Sequence, residues 1–371
     1  MKMHMSRQIL LLALAPIGAA IATAAPNDAP GFCSAGPTLP FYAYALHGGN
    51  QLAVFHGPDY PDYYATFGLI NLESPGEVLM ENAGTLRLSR DNACTFADLA
   101  AVEDSPLVLV AAPGGGAYGF ALNGTGFYEI APDGSTFVVT KRLTPAAGIV
   151  GVGVDPANAR HVYIGNSDGQ MHQSLDGGAN WSRLGNPPAL GAFGYRFAFD
   201  PHDPAHAIFG AATFGGWVTF DGGTSWTPMG GLSETGGPVN GFNAVFSPVD
   251  GDVAWVMGLD IDQANNGDPS GGRHFYLSND GGRHFSPVVD QSPDVTLTNG
   301  PEMTPHPRLP QRIAWVFGST FSGLDIYQYD AELGQLKKRH YSGLLARTVA
   351  YASGDPSNLL IGLEGGIPFA R

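Results

Sequence analysis

An eight-residue phrase that occurs three times constrains the fold of this chain more than any other feature. The copies begin at Ser174, Thr219 and Ser278, and each reads hydroxyl, any residue, Asp, any residue, Gly, two further residues, aromatic. The Asp side chain can accept hydrogen bonds from nearby backbone amides, and glycine adopts the positive φ that such a turn needs. The aromatic residue should open the next strand and pack back onto the hairpin. The phrase therefore predicts a stapled turn between two strands.

A fourth copy keeps the register but has Ala where the others have Gly. The residues to which we assign this structural role are Ser174, Asp176, Gly178 and Trp181; Thr219, Asp221, Gly223 and Trp226; Ser278, Asp280, Gly282 and Phe285; and Ser89 and Asp91. Weaker copies surround Asp133 and Asp330, so that successive Asp residues are 42 to 59 residues apart.

A second periodic feature precedes several of these phrases. An apolar run is followed by a Pro-containing turn and another apolar run, as at Asp155-Pro156 and Asp200-Pro201. Each unit then contains four short strands, which is the content of one propeller blade. We expect seven blades, with six or eight as the nearest alternatives. Strands from both termini would complete the last blade and leave no exposed sheet edge.

The phrase resembles the Asp-box, or BNR repeat, of sialidases and related β-propellers. The resemblance implies an all-β fold, a single seven-bladed propeller of four-stranded antiparallel blades, over residues 25–371. Residues 1–24 are predicted to be a secretory signal, because Lys2 and Arg7 precede an apolar run and an A-x-A site ends at Ala24. A secreted or periplasmic location follows from this prediction.

Charge and cysteine content limit the partners and the compartment. The formal net charge is −15, and phosphate contacts need clustered Lys and Arg, so nucleic-acid binding is disfavoured. No second long apolar stretch follows the signal, so no membrane span is expected. We also expect the protein to be a monomer. An oxidising compartment favours a disulfide between Cys33 and Cys94, the alternative being two unpaired thiols.

The sequence shows only weak matches to the residue patterns of known enzyme active sites. Sialidases need an early arginine, and no Lys or Arg occurs between Cys33 and Thr85. A glycoside hydrolase resembling the xyloglucan hydrolases is the alternative function, with Asp260 and Asp262 as candidate carboxylates. The Asp260–Asp268 segment is rich in oxygen ligands and allows calcium, although a solvated loop is preferred, and no other cofactor or metal site is predicted. His202 and His206 flank prolines in a turn, which disfavours a shared metal.

Binding is expected at the end of the blades opposite the Asp-boxes, where loops lead into each innermost strand and join the second strand to the third. The candidate binding residues there are Tyr195, Arg196, Phe214, Asn243, Asp260, Asp262, Asn299 and Phe321. Aromatic, Asn and Gly residues with one Arg are more typical of a protein- or glycan-binding surface than of a catalytic pocket.

One family resemblance extends over nearly the whole chain after the signal. The stretch Thr296-Leu297-Thr298-Asn299-Gly300-Pro301, followed by the His306-Pro307 turn, is similar to the dispase autolysis-inducing protein family of bacteria. The resemblance implies a non-enzymatic protein that binds, and inhibits or modulates, a thermolysin-like extracellular metalloprotease.

Overall fold

The structure is a computed structural model of the whole chain. The residues that it describes are 43–46, 52–54, 68–82, 84–93, 95–122, 124–145, 148–188, 194–211, 215–232, 239–297, 303–319, 323–341, 346–353 and 356–363. The predicted signal, Cys33 and Cys94 lie outside these ranges, so the cleavage site and the disulfide stay predictions.

The described chain is almost entirely β-structure. The N-terminal pair is β1 (Ala43–Leu46) and β2 (Leu52–Val54). The next two groups of four are β3 (Gly68–Asn71), β4 (Val78–Asn82), β5 (Thr85–Ser89) and β6 (Ala97–Ala101), then β7 (Leu107–Ala111), β8 (Ala117–Ala121), β9 (Phe127–Asp133) and β10 (Thr136–Arg142). A 3-10 turn, Pro113–Gly115, joins β7 to β8.

The middle groups are β11 (Ile149–Asp155), β12 (Asn158–Asn166), β13 (Met171–Ser174) and β14 (Ser182–Leu184), then β15 (Gly194–Phe199), β16 (Ala207–Ala211), β17 (Gly216–Thr219) and β18 (Thr227–Pro228). The last groups are β19 (Val239–Phe246), β20 (Ala254–Asp260), β21 (Arg273–Ser278) and β22 (Ser286–Asp290), then β23 (Met303–Pro305), β24 (Arg312–Ser319), β25 (Gly323–Asp330) and β26 (Gln335–Tyr341), and finally β27 (Ala346–Tyr351) and β28 (Leu359–Leu363). One short helix, α1 (Ile261–Asn265), interrupts the loop between β20 and β21.

The strands form four-stranded antiparallel sheets, as the sequence predicts. Six blades consist of consecutive strands, β3–β6, β7–β10, β11–β14, β15–β18, β19–β22 and β23–β26. A further four-stranded sheet has the order β2-β1-β28-β27 and pairs Tyr44 with Ile361. The chain is therefore an all-β propeller built of four-stranded antiparallel blades.

The Asp-boxes close the turns between the third and fourth strands. Ser174 Oγ donates to Asp176 Oδ1 at 2.8 Å and accepts from the Gly178 amide at 2.8 Å. Asp176 Oδ1 also accepts from the Asn180 amide at 2.8 Å. The same bonds recur at Thr219 and Asp221, at Ser278 and Asp280, and at Ser89 and Asp91. In the copy that begins at Ser89, Ala93 adopts φ 66°, and the equivalent residue of the Ser174 copy, Gly178, has φ 86°.

The box aromatic residues do more than pack on their own hairpin. Trp181 Nε1 donates to the Leu143 carbonyl at 2.9 Å, and the Trp181 ring stacks edge-on against Phe127 of the preceding blade. Trp226 Nε1 donates to the Asn186 carbonyl at 2.8 Å. Phe285 is buried in a cluster with Ile208 and Val218 of the preceding blade. The aromatic position therefore joins one blade to the blade before it.

The hydrophobic core consists of layers between neighbouring sheets. One layer joins Leu324 and Ile326 of the β23–β26 blade to Val349 and Leu359. Another joins Met80 of the β3–β6 blade to Leu360 and its neighbours. The β27–β28 pair is therefore packed against a blade on each side, and burial of these aliphatic faces stabilises the arrangement.

Candidate functional site

The innermost strands surround a central cavity of about 640 Å³. Residues of β3, β7, β11, β15, β19, β23 and β27 all line it. Its wall is mainly apolar and includes Val108, Val110, Val152, Phe197 and Val245. A cavity of this size and character is in the range that holds a small ligand or part of a partner chain.

Four innermost strands carry a register shift at a similar position. The shifts lie between Ile149 and Gly151, Gly194 and Arg196, Gly241 and Asn243, and Ala346 and Thr348. A bulge of this kind changes the direction of the side chains that follow it. Gly151, Arg196, Asn243 and Thr348 all line the cavity, so the bulges place equivalent positions of four sheets on one wall.

Arg196 and Asn243 form the best-defined polar contact of this wall. Arg196 Nε donates to Asn243 Oδ1 at 2.9 Å, and the Ala244 amide donates to the same oxygen at 2.9 Å. Both neighbours are donors, so the Asn243 atom that faces them must be its oxygen. The Asn243 side chain is 3% exposed. The contact fixes the plane of the guanidinium group on the cavity wall.

The charged residues in the described lining of this cavity are arginines. Arg196 and Arg308 line the cavity, and none of its lining residues in the described part of the chain is Asp or Glu. An adjoining cavity of about 390 Å³ is lined by Glu73 and Asp200 among others, but not by Arg196. In a chain with net charge −15, the absence of Asp and Glu from the described lining of a cavity that contains arginine is a local exception.

The carboxylate of Asp200 is held by two histidines. Its Oδ2 lies 3.0 Å from His206 Nδ1, and its Oδ1 accepts from the His202 amide at 2.8 Å. Burial raises the pKa of Asp200, but these hydrogen bonds outweigh it and hold the pKa below its ordinary value. Asp200 is therefore an ionised anchor of the turn between β15 and β16.

The structure separates the predicted binding residues into three groups. Arg196 and Asn243 meet in the cavity wall. Asp260 and Asp262 lie at α1, away from it: Asp260 caps the helix by accepting from the Gln263 amide at 2.9 Å, and Asp262 is exposed. Tyr195 lies in β15, while Phe214, Asn299 and Phe321 are outside the described residues.

Two features of the cavity were missed by sequence analysis. The described part of the wall extends toward the Asp-box end, where Pro201, Pro248, Arg308 and Ser353 contribute to it. Most of the wall comes from the innermost strands rather than from loops. The apolar runs before each Pro turn were the available signal, because they marked those strands.

No metal centre is evident in the part of the chain that the structure covers, where no group of three or more His, Cys, Asp or Glu is placed to hold an ion. Within the same residues, no helix is long and apolar enough to cross a membrane.

No protein-family model matches the chain. A curated relative, the dispase autolysis-inducing protein of Streptomyces mobaraensis, is 40% identical over 303 residues, which are 81% of this chain and 80% of the relative. The chain belongs to the dispase autolysis-inducing protein family. The identity covers most of the propeller.

Solved structures agree on the fold. A GH74 enzyme of Niastella koreensis superposes with a TM-score of 0.58 at 15% identity, over 87% of this chain and 53% of the enzyme. This chain therefore spans about half of that enzyme. YCF48 from Cyanidioschyzon merolae superposes with a TM-score of 0.56 at 13% identity, over 82% of this chain and 95% of YCF48. At these identities the likeness concerns the propeller fold alone.

Proposed function

We propose that this chain is an exported, non-enzymatic propeller that binds an extracellular metalloprotease of the thermolysin class and inhibits or modulates it. The observation that carries the proposal is the 40% identity over 80% of a relative named for inducing autolysis of dispase. The location that we propose is the periplasm or the medium, since the first 24 residues have the pattern of a secretory signal.

The cavity chemistry supports a binding role over glycoside hydrolysis. Glycosidases need two carboxyl groups about 5–10 Å apart across the scissile bond. The described lining of the central cavity has none. In the adjoining cavity Asp200 is already bonded to His202 and His206, and Glu73 is exposed. Asp260 is occupied as a helix cap.

Complex formation tests the proposal directly. Purified protein is mixed with a thermolysin variant that is inactivated by substitution and leaves its active-site cleft empty, and the mixture is analysed by sedimentation velocity. We expect one boundary faster than either component, with trypsin as a protease control that sediments separately. Independent sedimentation of the protein and thermolysin at concentrations of about 10 μM, where a specific complex should persist, contradicts the proposal.

For the architecture, we propose that the β2-β1-β28-β27 sheet is the seventh blade and closes the ring. Support comes from its apolar layers on both sides and from the pairing of β1 with β28. Two further bonds join it to the β3–β6 blade: Asn71 Nδ2 donates to the Tyr351 carbonyl, and the Gly76 amide donates to Ser353 Oγ at 3.2 Å. In this arrangement β1 covers the edge of β28, which would otherwise be open to pairing with another chain.

A further inference from the structure

The central cavity combines one fixed positive group with an apolar wall. Arg196 lies at a bulge of β15, and its Nε contacts the buried Asn243 of the neighbouring blade at 2.9 Å. Thr348 occupies the equivalent position after the bulge of β27 and is 4% exposed. A guanidinium group supplies several hydrogen-bond donors, and its planar shape matches a carboxylate.

The surroundings determine which anion suits the site. Val108, Val110 and Val245 are half-buried apolar residues of the same lining, so a fully hydrated inorganic anion would leave apolar surface uncovered. A ligand with an apolar group next to a carboxylate covers that surface and meets Arg196. A second charge on the ligand has no matching second arginine beside Arg196, because Arg308 lies in the exposed turn after β23. The chemistry therefore favours a monoanion.

The sign of the charge adds an independent argument. The chain as a whole has a net charge of −15, yet no Asp or Glu belongs to the described lining of this cavity. The acidic exterior repels anions generally, while the cavity interior is locally attractive to one. A low-dielectric wall also strengthens a charge pair formed against it.

We propose that the central cavity is a binding site for an apolar carboxylate, such as the C-terminal residue of a peptide, with the carboxylate paired to Arg196. This inference goes beyond the proposed function, since it concerns a ligand of the isolated protein and requires no protease. The peptide terminus and a free acylated amino acid share the same chemistry, and the experiment below distinguishes them.

Titration calorimetry with three probes tests the site: N-acetyl-phenylalanine, its C-terminal amide, and inorganic phosphate. We expect the acid to bind with a Kd of about 1 mM or lower, and the amide to bind at least about tenfold more weakly, because it lacks the charge that pairs with Arg196. Phosphate should neither bind comparably nor displace the acid. Equal affinity for acid and amide, or displacement by phosphate at the same concentration, overturns the proposal.

Two variants and a control locate the binding. Arg196→Gln should remove the preference for the acid, and Asn243→Asp should do the same by neutralising Arg196 with a carboxylate of the same shape. Asn243→Asp keeps the acceptor that Arg196 and Ala244 contact, and its melting temperature, measured beside that of Arg196→Gln, separates a loss of binding from misfolding. Arg183→Gln, on the exposed face of β14, removes the same charge away from the cavity and should bind the acid normally.

Equal loss of binding in the control and in Arg196→Gln overturns the site assignment, as does normal binding in both cavity variants. An N-acetylated tripeptide ending in phenylalanine identifies the source. Tighter binding of the tripeptide than of N-acetyl-phenylalanine supports a peptide terminus, and equal or weaker binding supports a free acylated amino acid. These measurements use no protease, so their failure leaves the sedimentation test unaffected.

Discussion

His206 Nε2 lies 2.8 Å from the carbonyl oxygen of Gly281, a glycine of the Asp-box in the following blade. The other ring nitrogen of His206 lies 3.0 Å from Asp200 Oδ2. The His206 side chain is 8% exposed and stacks on Phe220 with ring centroids 4.3 Å apart. A turn of one blade is thus bonded to the box turn of the next, which makes the Asp-box part of the contact between blades.

His206→Ala should lower the free energy of unfolding by about 2–3 kcal/mol, because it removes a buried ring within hydrogen-bond distance of Asp200 and the Gly281 carbonyl and leaves at least one of these acceptors without its donor. His202→Ala is the matched control, since His202 contacts the same carboxylate through Nδ1 at 3.2 Å but its side chain is 52% exposed. Its effect should be about 0.5 kcal/mol or less. Urea unfolding measures both, and equal losses would refute the role of the His206 contact.

Ser174→Ala should destabilise the protein by about 1–3 kcal/mol. Its hydroxyl is fully buried and accepts the Gly178 amide at 2.8 Å, so the alanine variant leaves that buried donor unsatisfied. Ser182→Ala is a control on the same blade, because Ser182 is exposed and donates only to the Gln173 carbonyl at 3.5 Å. Thermal unfolding of the two variants should differ by several degrees, and coincident melting curves would contradict the stapling role.

Stability should fall in acid as the box carboxylates become protonated. Hydrogen bonds from the side chain and amide of Asn180, and from Ser174, lower the pKa of Asp176 to about 2. Burial opposes ionisation of Asp221 and Asp280, but hydrogen bonds within their boxes outweigh it and lower each pKa. A depressed folded pKa contributes stability above the unfolded value of about 3.9, which is lost as the pH falls through the folded value.

The unfolding free energy should therefore decrease between about pH 4 and pH 2, and the decrease should be shallower in Asp176→Asn than in the wild type. Guanidinium unfolding across this range provides the measurement. Parallel pH profiles for the two proteins would show that ionisation of Asp176 does not contribute to the pH dependence of the unfolding free energy.

How well the sequence predicts a feature of this fold depends on how close together in the chain the interacting residues lie. The hydrogen bonds of the box turns are local, because Ser174, Asp176 and Gly178 lie within five residues of one another and bond among themselves, so a short sequence pattern is enough to suggest the turn. The Pro turns, such as Asp155-Pro156, also join the strands expected. These features need no knowledge of the neighbouring blade.

Contacts between blades were harder to predict. The sequence placed Arg196, Asn243, Asp260 and Asp262 on one binding face, but only the first two meet, because the bulges of β15 and β19 direct them to the cavity while Asp260 ends a strand and caps α1. His202 and His206 were weighed as metal ligands, and their shared partner Asp200 was not recognised. A bulge or an inter-blade bond leaves no fixed spacing in the sequence.

Removal of the N-terminal strands tests the proposed closure of the ring. A chain that begins at residue 55 lacks β1 and β2 and should expose the edge of β28, which pairs with Ala43–Ala45 in the intact protein. We expect a melting temperature lower by several degrees and concentration-dependent self-association, because an unpaired strand edge templates pairing with another chain. A chain that begins at residue 41 keeps both strands and is the control. Identical behaviour of the two truncations would contradict closure by the terminal strands.

The most direct test of the central claim is a titration of thermolysin activity with the purified protein, with peptide hydrolysis followed continuously. The account predicts that activity changes progressively and reaches its limit near one molecule of protein per molecule of thermolysin, with trypsin unaffected. Unchanged thermolysin activity in the presence of a large molar excess of the protein would contradict it.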